Sequence, residues 1–490
     1  MCSKHNPDAL VQFLTEIPAA AFRASADTRR QQLGPRRFLA PLPVQQTRNT
    51  TIDDGLTDRI CPQALPGFFG TVETFVQDYL TGQQFIPSPS SNGTGLAADP
   101  RTSEDCLFLD VIVPRLVLDS SKQGRFNAPV LVWIYGGGCV FGEKTGFDPS
   151  GLLADSPESF IFIAMNDRLG AFGFLGGSTV QASATAQPGL LDERLALDWQ
   201  VGGSSDRVTV MGESAGAGSI LHQITAFAGT KDPAPFSRAI LRSPAFVAQP
   251  HSNLVEQQTQ ALLHRCDVSS IQELQRLPTS TLLAANQDLV ARSDYGTFFF
   301  GPMVDADFTP SLPGVLLARG EYDNNVEVLL GHNTNEGLLF TSSATNQSTG
   351  LASIIQQRFP QMPPSTRSQL LKSIYPETSF TGRQAFIDRA KQFISDTFVT
   401  SYEFAVPPGL HGSDIAYTFA GKNNTSLSTA PQIIEPFQRF LTNFATGNSK
   451  HALSSEYAIG SKVTNASTLA FGTTGIGTVP DDTINDRCRF

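Results

Sequence analysis

The residues best suited to chemistry stand together at Gly212-Glu213-Ser214-Ala215-Gly216, which fits the pattern G-x-S-x-G. In that pattern a nucleophilic serine sits on a strained turn between a strand and a helix, and the glycines leave room for tight backbone and an exposed hydroxyl. Alone the pentapeptide is a weak signal, because a chain of this length and glycine content carries it by chance roughly a quarter to a third of the time. A serine hydroxyl is also a poor nucleophile at neutral pH. It needs an imidazole to take its proton and a carboxylate to fix that imidazole's tautomer. Seven histidines compete for the first role. In a hydrolase with such a turn, the acid and then the histidine follow the serine, which removes His5. His222 lies two turns along the serine's own helix, and His251 and His264 leave little room for an intervening acid. His332 ends an apolar run and reads as a turn residue, while His451 follows the polar Gly447-Asn-Ser-Lys450. His411 remains, in Pro407-Pro-Gly-Leu-His-Gly-Ser-Asp414, a loop fixed by prolines and glycines of the kind that presents catalytic side chains. Glu336 follows a buried run in Gly331-His-Asn-Thr-Asn-Glu-Gly337, whereas Asp305 and Asp307 precede it, so Glu336 is the expected orienting acid.

Acyl transfer further requires hydrogen-bond donors aimed at a developing oxyanion. Val130-Leu-Val-Trp-Ile-Tyr135 is a continuous apolar run ending in Gly136-Gly137-Gly138-Cys139, and the expected donors are the N–H groups of Gly137, Gly138 and Ala215. Phe298-Phe-Phe300 and Tyr295 are candidates for a pocket wall, against core packing as the plainer reading.

The elements that must position these groups alternate along the chain. Strands are expected at Glu104–Pro114, Val130–Tyr135, Ser159–Met165, Val208–Val210, Arg238–Ser243 and Val326–His332. Helices are expected near Val72–Leu80, at Leu190–Trp199, from Ala215 to Phe227, and in a last segment where Ile433, Ile434, Phe437, Phe440, Leu441 and Phe444 share one face. Runs without alternation suit strands covered on both faces. The pattern predicts an α/β fold: a doubly wound, mostly parallel sheet with helices on both faces.

A net charge of −10 and a pI near 5.2 leave no cationic footprint for nucleic acid, and no run approaches the ~18 apolar residues of a membrane span. No metal or cofactor is expected, and the spacing of the six cysteines gives no zinc site. Cys106 opens an expected strand with Cys61 in the loop before it. A bridge between them would close about 45 residues and contribute about 4 kcal/mol in an oxidising compartment. Residues 1–54 read as an atypical N-terminal segment, with an apolar face at Val11–Phe22 and five arginines in Arg23–Arg37 forming a surface-wrapping arm. Residues 55–490 read as a single domain with insertions. The first residues, Met1-Cys-Ser-Lys-His-Asn-Pro7, lack the apolar core of a signal peptide, although six N-x-Ser/Thr sequons begin at Asn49, Asn92, Asn346, Asn423, Asn424 and Asn465.

Several of these motifs occur together in order: Glu104-Asp-Cys-Leu-Phe-Leu-Asp-Val111, Trp133-Ile-Tyr-Gly-Gly-Gly138, Asn166-Asp-Arg-Leu-Gly-Ala-Phe-Gly173, Gly212-Glu-Ser-Ala-Gly216, Asn335-Glu-Gly337 and His411-Gly412. Together they resemble the type-B carboxylesterase/lipase family, the cholinesterase-like α/β hydrolases, and Ser243-Pro-Ala-Phe246 is similar to fungal members. The resemblance covers roughly residues 55 to 445. It implies Ser214 as nucleophile, Glu336 as acid, His411 as base, Gly137, Gly138 and Ala215 as oxyanion donors, Ser243 and Glu213 as supporting residues near the triad, and Cys61–Cys106 as a disulfide. Tyr135 stands where many relatives carry histidine. The implied activity is hydrolysis of a small-molecule carboxylic ester through an acyl-enzyme. An acyltransferase with the same triad and a catalytically silent relative are the alternatives. The sequons and the resemblance imply a secreted protein if the N-terminus is incomplete. Three departures stand out: Pro18–Phe22 and the arginine stretch replace the family's opening strands, the chain after Gln200 is about two turns short, and Thr397–Tyr402 lacks a helix-turn segment. Coding segments lost or misassigned at these points would explain them, and an uninterrupted transcript matching this chain would refute that explanation.

Overall fold

The computed structural model describes residues 10–12, 36–42, 59–83, 99–121, 127–198, 205–245, 249, 252–396, 402–421, 429–447 and 467–480. In chain order the main elements are β1 (Leu10–Gln12), α1 (Phe69–Leu80), β2 (Leu109–Pro114), β3 (Val130–Ile134), β4 (Ile161–Met165), α2 (Pro188–Asp198), β5 (Val208–Glu213), α3 (Ala215–Ile224), β6 (Arg238–Arg242), α4 (Ser252–Arg265), α5 (Thr279–Ala291), β7 (Glu327–Asn333), α6 (Ala385–Ser395), β8 (Tyr402–Phe404), α7 (Ile434–Ala445), β9 (Ser467–Gly472) and β10 (Gly475–Pro480). The strands form one ten-stranded sheet in the order β1-β2-β4-β3-β5-β6-β7-β8-β9-β10. From β4 to β9 every neighbouring pair is parallel, and only the outer pairs at each end run antiparallel.

Every residue of β3 and β4 is buried, as unalternating apolar runs require when helices cover both faces. Successive side chains of a strand point to opposite faces, and the two cores divide accordingly. Val130, Val132 and Val210 meet Ala217, Ile220 and Ile224 of α3 with Ala196 and Leu197 of α2. Leu131, Trp133, Met211 and Ile240 meet Phe437, Phe440, Leu441 and Phe444 of α7 on the other side. Each buried Phe of α7 contributes roughly 1.5–3 kcal/mol of apolar burial, which fixes this helix across the sheet. Parallel register sets Ile134 beside Gly212 and Arg242 beside Gly331. The loops following β3, β5 and β7 therefore leave the same edge, where open α/β sheets bind ligands.

Some local expectations change. Val11, in the segment read as part of an N-terminal arm, belongs to β1, which pairs with β2. Arg37 and Phe38 are buried, not part of a solvent-facing arm. The Arg37 guanidinium pairs with Glu104 and donates to the carbonyls of Leu274 (3.1 Å), Gln275 (3.2 Å) and Leu277 (2.9 Å), so this short piece is pinned to the domain. The strand expected from Glu104 starts at Leu109, because Cys106 is held in the preceding loop by its disulfide to Cys61 and by Asn166, whose Nδ2 donates to the Cys106 carbonyl at 3.0 Å. His332 lies inside β7 rather than on a turn. The β9–β10 hairpin, with Phe471 fully buried, extends the sheet at a position the sequence pattern does not announce. The stretches around 18–35, 199–204 and 397–401, where the chain departs from its resemblance, lie outside the described residues, as do His451 and all sequons except Asn346.

Candidate active site

The turn at Ser214 is built by its neighbours. β5 ends at Glu213, Ser214 adopts φ 56° and ψ −123°, and α3 begins at the next residue. A side chain in this region of backbone space is strained, at roughly 1–3 kcal/mol, and survives because the surroundings over-determine it. The Ser214 N–H donates to the Arg242 carbonyl at 2.9 Å, and its carbonyl accepts from Gly218 N (2.9 Å) and Ala245 N (3.0 Å). Only glycine fits on either side: a Cβ on Gly216 would stand 2.3 Å from the Ile134 carbonyl oxygen, and one on Gly212 would stand 2.7 Å from the Gly216 carbonyl carbon.

His411 and Glu336 meet across 75 residues of chain, with Nδ1 2.5 Å from Oε2. The loops that carry them are laced together by a parallel bridge between Asn335 and Leu410 and by Asn335 N donating to the Gly409 carbonyl at 2.6 Å. The other carboxylate oxygen of Glu336 accepts from Ser243 Oγ and from the Asn333 N–H, both at 2.5 Å. These donors fix the buried carboxyl of Glu336 with its other oxygen toward His411. Asn333 Nδ2 also reaches Ser243 Oγ (3.2 Å) and Asp414 Oδ1 (3.3 Å), and Asp414 is paired with the fully buried Arg242 at 2.8 Å. Asn333, Asp414 and Arg242 are missed by motif reading. Their only signal is position, Asn333 at the end of a strand and Asp414 three residues after His411.

Glu213 completes the pocket around the imidazole, its Oε1 3.3 Å from His411 Nε2. Burial raises the Glu213 carboxyl to about 7, against the attraction of His411 and with repulsion from Asp414 adding to it. Burial disfavours the charged imidazole, but Glu213 and Glu336 outweigh it and raise His411 to about 9. The ring of Phe340 stands against His411 with centroids 5.0 Å apart.

The glycine loop lies beside these groups. A Cβ on Gly136 would be 2.7 Å from Glu213 Oε2 and 2.9 Å from Ser214 Cβ, so the loop passes close over the turn. Gly137 and Gly138 take φ 107° and 61°, and side chains there would strike the Phe141 carbonyl and the Phe298 ring. Gly170 N holds the loop from behind by donating to the Cys139 carbonyl at 2.8 Å. Among the described residues the N–H groups of Gly137, Gly138 and Ala215 donate no hydrogen bond. The expected pocket wall splits: Phe298 faces Gly138, Phe300 is core, and Tyr295 packs on Phe68. Among the described residues no group of three His, Cys, Asp or Glu is placed to hold a metal ion, and no helix is long and apolar enough to cross a membrane.

The chain resembles known proteins over most of its length. Over 94% of this chain and 89% of the relative it is 31% identical to carboxylesterase patB of Penicillium expansum. Over 71% of this chain and 59% of the relative it is 28% identical to the inactive carboxylesterase-like protein VdtD of Byssochlamys spectabilis. Its backbone superposes on the crystal structure of Aspergillus niger EstA with a TM-score of 0.73 at 20% identity, covering 99% of this chain and 94% of that one, a likeness of fold. Residues 31–406 match the Carboxylesterase family. With an α/β-hydrolase sheet, an elbow serine and this sequence match, the chain belongs to the carboxylesterase family and is a carboxylic ester hydrolase.

Proposed function

We propose that the chain cleaves small-molecule carboxylic esters through an acyl-enzyme on Ser214, with His411 as general base and acid and Glu336 as its orienting carboxylate. The observation that carries this reading is the contact of His411 Nδ1 with Glu336 Oε2 at 2.5 Å, in a pocket closed by the residue preceding Ser214. Glu336 fixes the proton on Nδ1, which leaves Nε2 as the basic nitrogen. His411 takes the Ser214 proton as Oγ adds to the ester carbonyl, the N–H groups of Gly137, Gly138 and Ala215 receive the oxyanion, and His411 returns the proton to the leaving alcohol. Water, activated by the same imidazole, then releases the acid and restores Ser214.

Phe298 against Gly138 and Phe340 against His411, with ring centroids 6.3 Å apart, wall the space beside the donor loop with aromatic surface. This favours short or flat acyl groups over long ones. A fluorophosphonate probe tests the proposal. Labelling of the wild-type protein that disappears in Ser214→Ala supports it, and folded wild-type protein that takes no label would group the chain with silent relatives instead.

A further inference from the structure

Glu336 stands between Asn335 and Gly337, and α6 holds both of these neighbours. Lys391 Nζ donates to Asn335 Oδ1 at 3.3 Å, and Ser395 Oγ accepts from the Gly337 N–H at 2.9 Å. Lys391 and Ser395 stand at i and i+4, so they lie on one face of the helix. Gly337 is pressed onto that face: a Cβ there would stand 2.2 Å from the Lys391 carbonyl oxygen and 2.8 Å from Ser395 Oγ. Asn335 passes the hold onward. Its Nδ2 donates to the Pro408 carbonyl at 2.8 Å, in the loop that carries His411, and its backbone N donates to the Gly409 carbonyl at 2.6 Å. The ammonium that starts this chain is itself fixed. Lys391 Nζ donates to Tyr79 Oη of α1 at 3.1 Å, lies 5.3 Å from the centroid of the Tyr79 ring and 3.9 Å from Asp388 Oδ1, and the Tyr79 hydroxyl donates to Asp388. A lysine already held at these points loses little further side-chain freedom in gripping Asn335.

Apolar packing joins the same elements, since Leu338 clusters with Val72, Phe75 and Val76 of α1 and with Ile387 of α6. Such contact is non-directional and leaves a helix free to slide against a loop, whereas hydrogen bonds demand one register. Register matters here because His411 Nδ1 meets Glu336 Oε2 across 75 residues of chain. We infer that Lys391 and Ser395 are positioning residues for the esterase reaction: they splint the two neighbours of Glu336 to α6, and Asn335 extends the splint to the His411 loop. They act through Glu336 and His411 rather than on the substrate, and the inference rests on the reading of Ser214, His411 and Glu336 as a triad.

Lys391→Met keeps the apolar stem and removes the donor. In the folded variant kcat for p-nitrophenyl butyrate should fall roughly tenfold with KM within about twofold, because the triad loosens while Phe298 and Phe340 stay in place. Lys391→Arg restores a charged donor and should recover kcat to within about threefold of wild type. Ser395→Ala should lower kcat by about threefold. Hydrogen exchange followed by mass spectrometry should show residues 333–340 and 406–413 exchanging roughly tenfold faster, and together, in Lys391→Met. A rise in KM alone, wild-type kcat in a folded Lys391→Met, failure of Lys391→Arg to recover kcat, or loosening of only one segment overturns the inference. If Lys391→Met does not fold, Asn335→Ala takes its place, with the same roughly tenfold loss of kcat and the same paired loosening expected. Wild-type protein that takes no fluorophosphonate label, with both segments loosened together in Lys391→Met, leaves the splint standing and refutes the reading of Ser214.

Discussion

Two sets of buried acids flank the loop of Gly136–Gly138, and they are held in opposite ways. On the imidazole side, Glu336 receives Ser243 Oγ and the Asn333 N–H, while Asp414 has Arg242. Donors and a cation hold these two carboxyl groups in place beside His411. By contrast, Asp167 and Glu193 have no salt bridge among the described residues: Glu193 accepts from Gln223 Nε2 at 3.4 Å, the Asp167 backbone N–H donates to Tyr135 Oη at 3.3 Å, and the adjacent arginine serves Asp192. Burial then favours the proton. The same residue type in the same fold meets close donors and a cation beside the imidazole and lacks a cation partner at Asp167 and Glu193. Glu213 lies between these cases, raised to about 7 beside a histidine that its charge in turn supports.

The comparison can be broken at several points. Ser214→Ala should lower kcat by about 10^6, leaving only binding and the oxyanion donors, with turnover of p-nitrophenyl butyrate as the measurement. Glu336→Gln preserves shape but removes the charge that sets the tautomer, and kcat should drop about 10^4-fold with KM nearly constant. A smaller loss would mean that Glu213 substitutes as the orienting acid. Asp414→Ala strands the buried Arg242 charge and should cost about 3–5 kcal/mol in denaturant unfolding; a cost below 1 kcal/mol would show that the pair is not a structural support of the proposed triad.

Phe298→Ala should raise kcat/KM for long acyl esters relative to butyrate by roughly 10- to 200-fold, and an unchanged ratio removes Phe298 from the pocket wall. Glu213→Gln should have the smallest effect on rate but a diagnostic one on pH. The reaction needs neutral imidazole, so with His411 near 9 the value of kcat/KM rises as pH rises toward that point. Removing the Glu213 charge weakens support for imidazolium and shifts this rise to lower pH. A pH profile identical to wild type would separate Glu213 from the imidazole.

Local sequence chemistry made much of this site legible. The elbow, the glycine triplet, Glu336 and His411 each sit in a short segment whose composition announces a turn or a strand end, and the apolar runs of β3, β4 and β5 read as strands buried on both faces of a sheet. What stayed hidden depends on separation in sequence. Asn333 reads as one more polar strand end until Ser243, 90 residues away, and Asp414, 81 residues away, are brought to its amide. Arg37 looked like part of an arm because its four backbone and carboxylate partners lie 67 to 240 residues downstream.

The sequence by itself determined the alternation of the central strands with helices, the turn at the serine between Gly212 and Gly216, and a short list of candidate base and acid residues, because periodicity and glycine requirements are properties of neighbours along the chain. Only the tertiary structure decided which partners each buried carboxyl meets. Glu336, Glu213, Asp414, Asp167 and Glu193 are the same functional group in the sequence, and what separates them is the burial and the donors that packing supplies from distant segments.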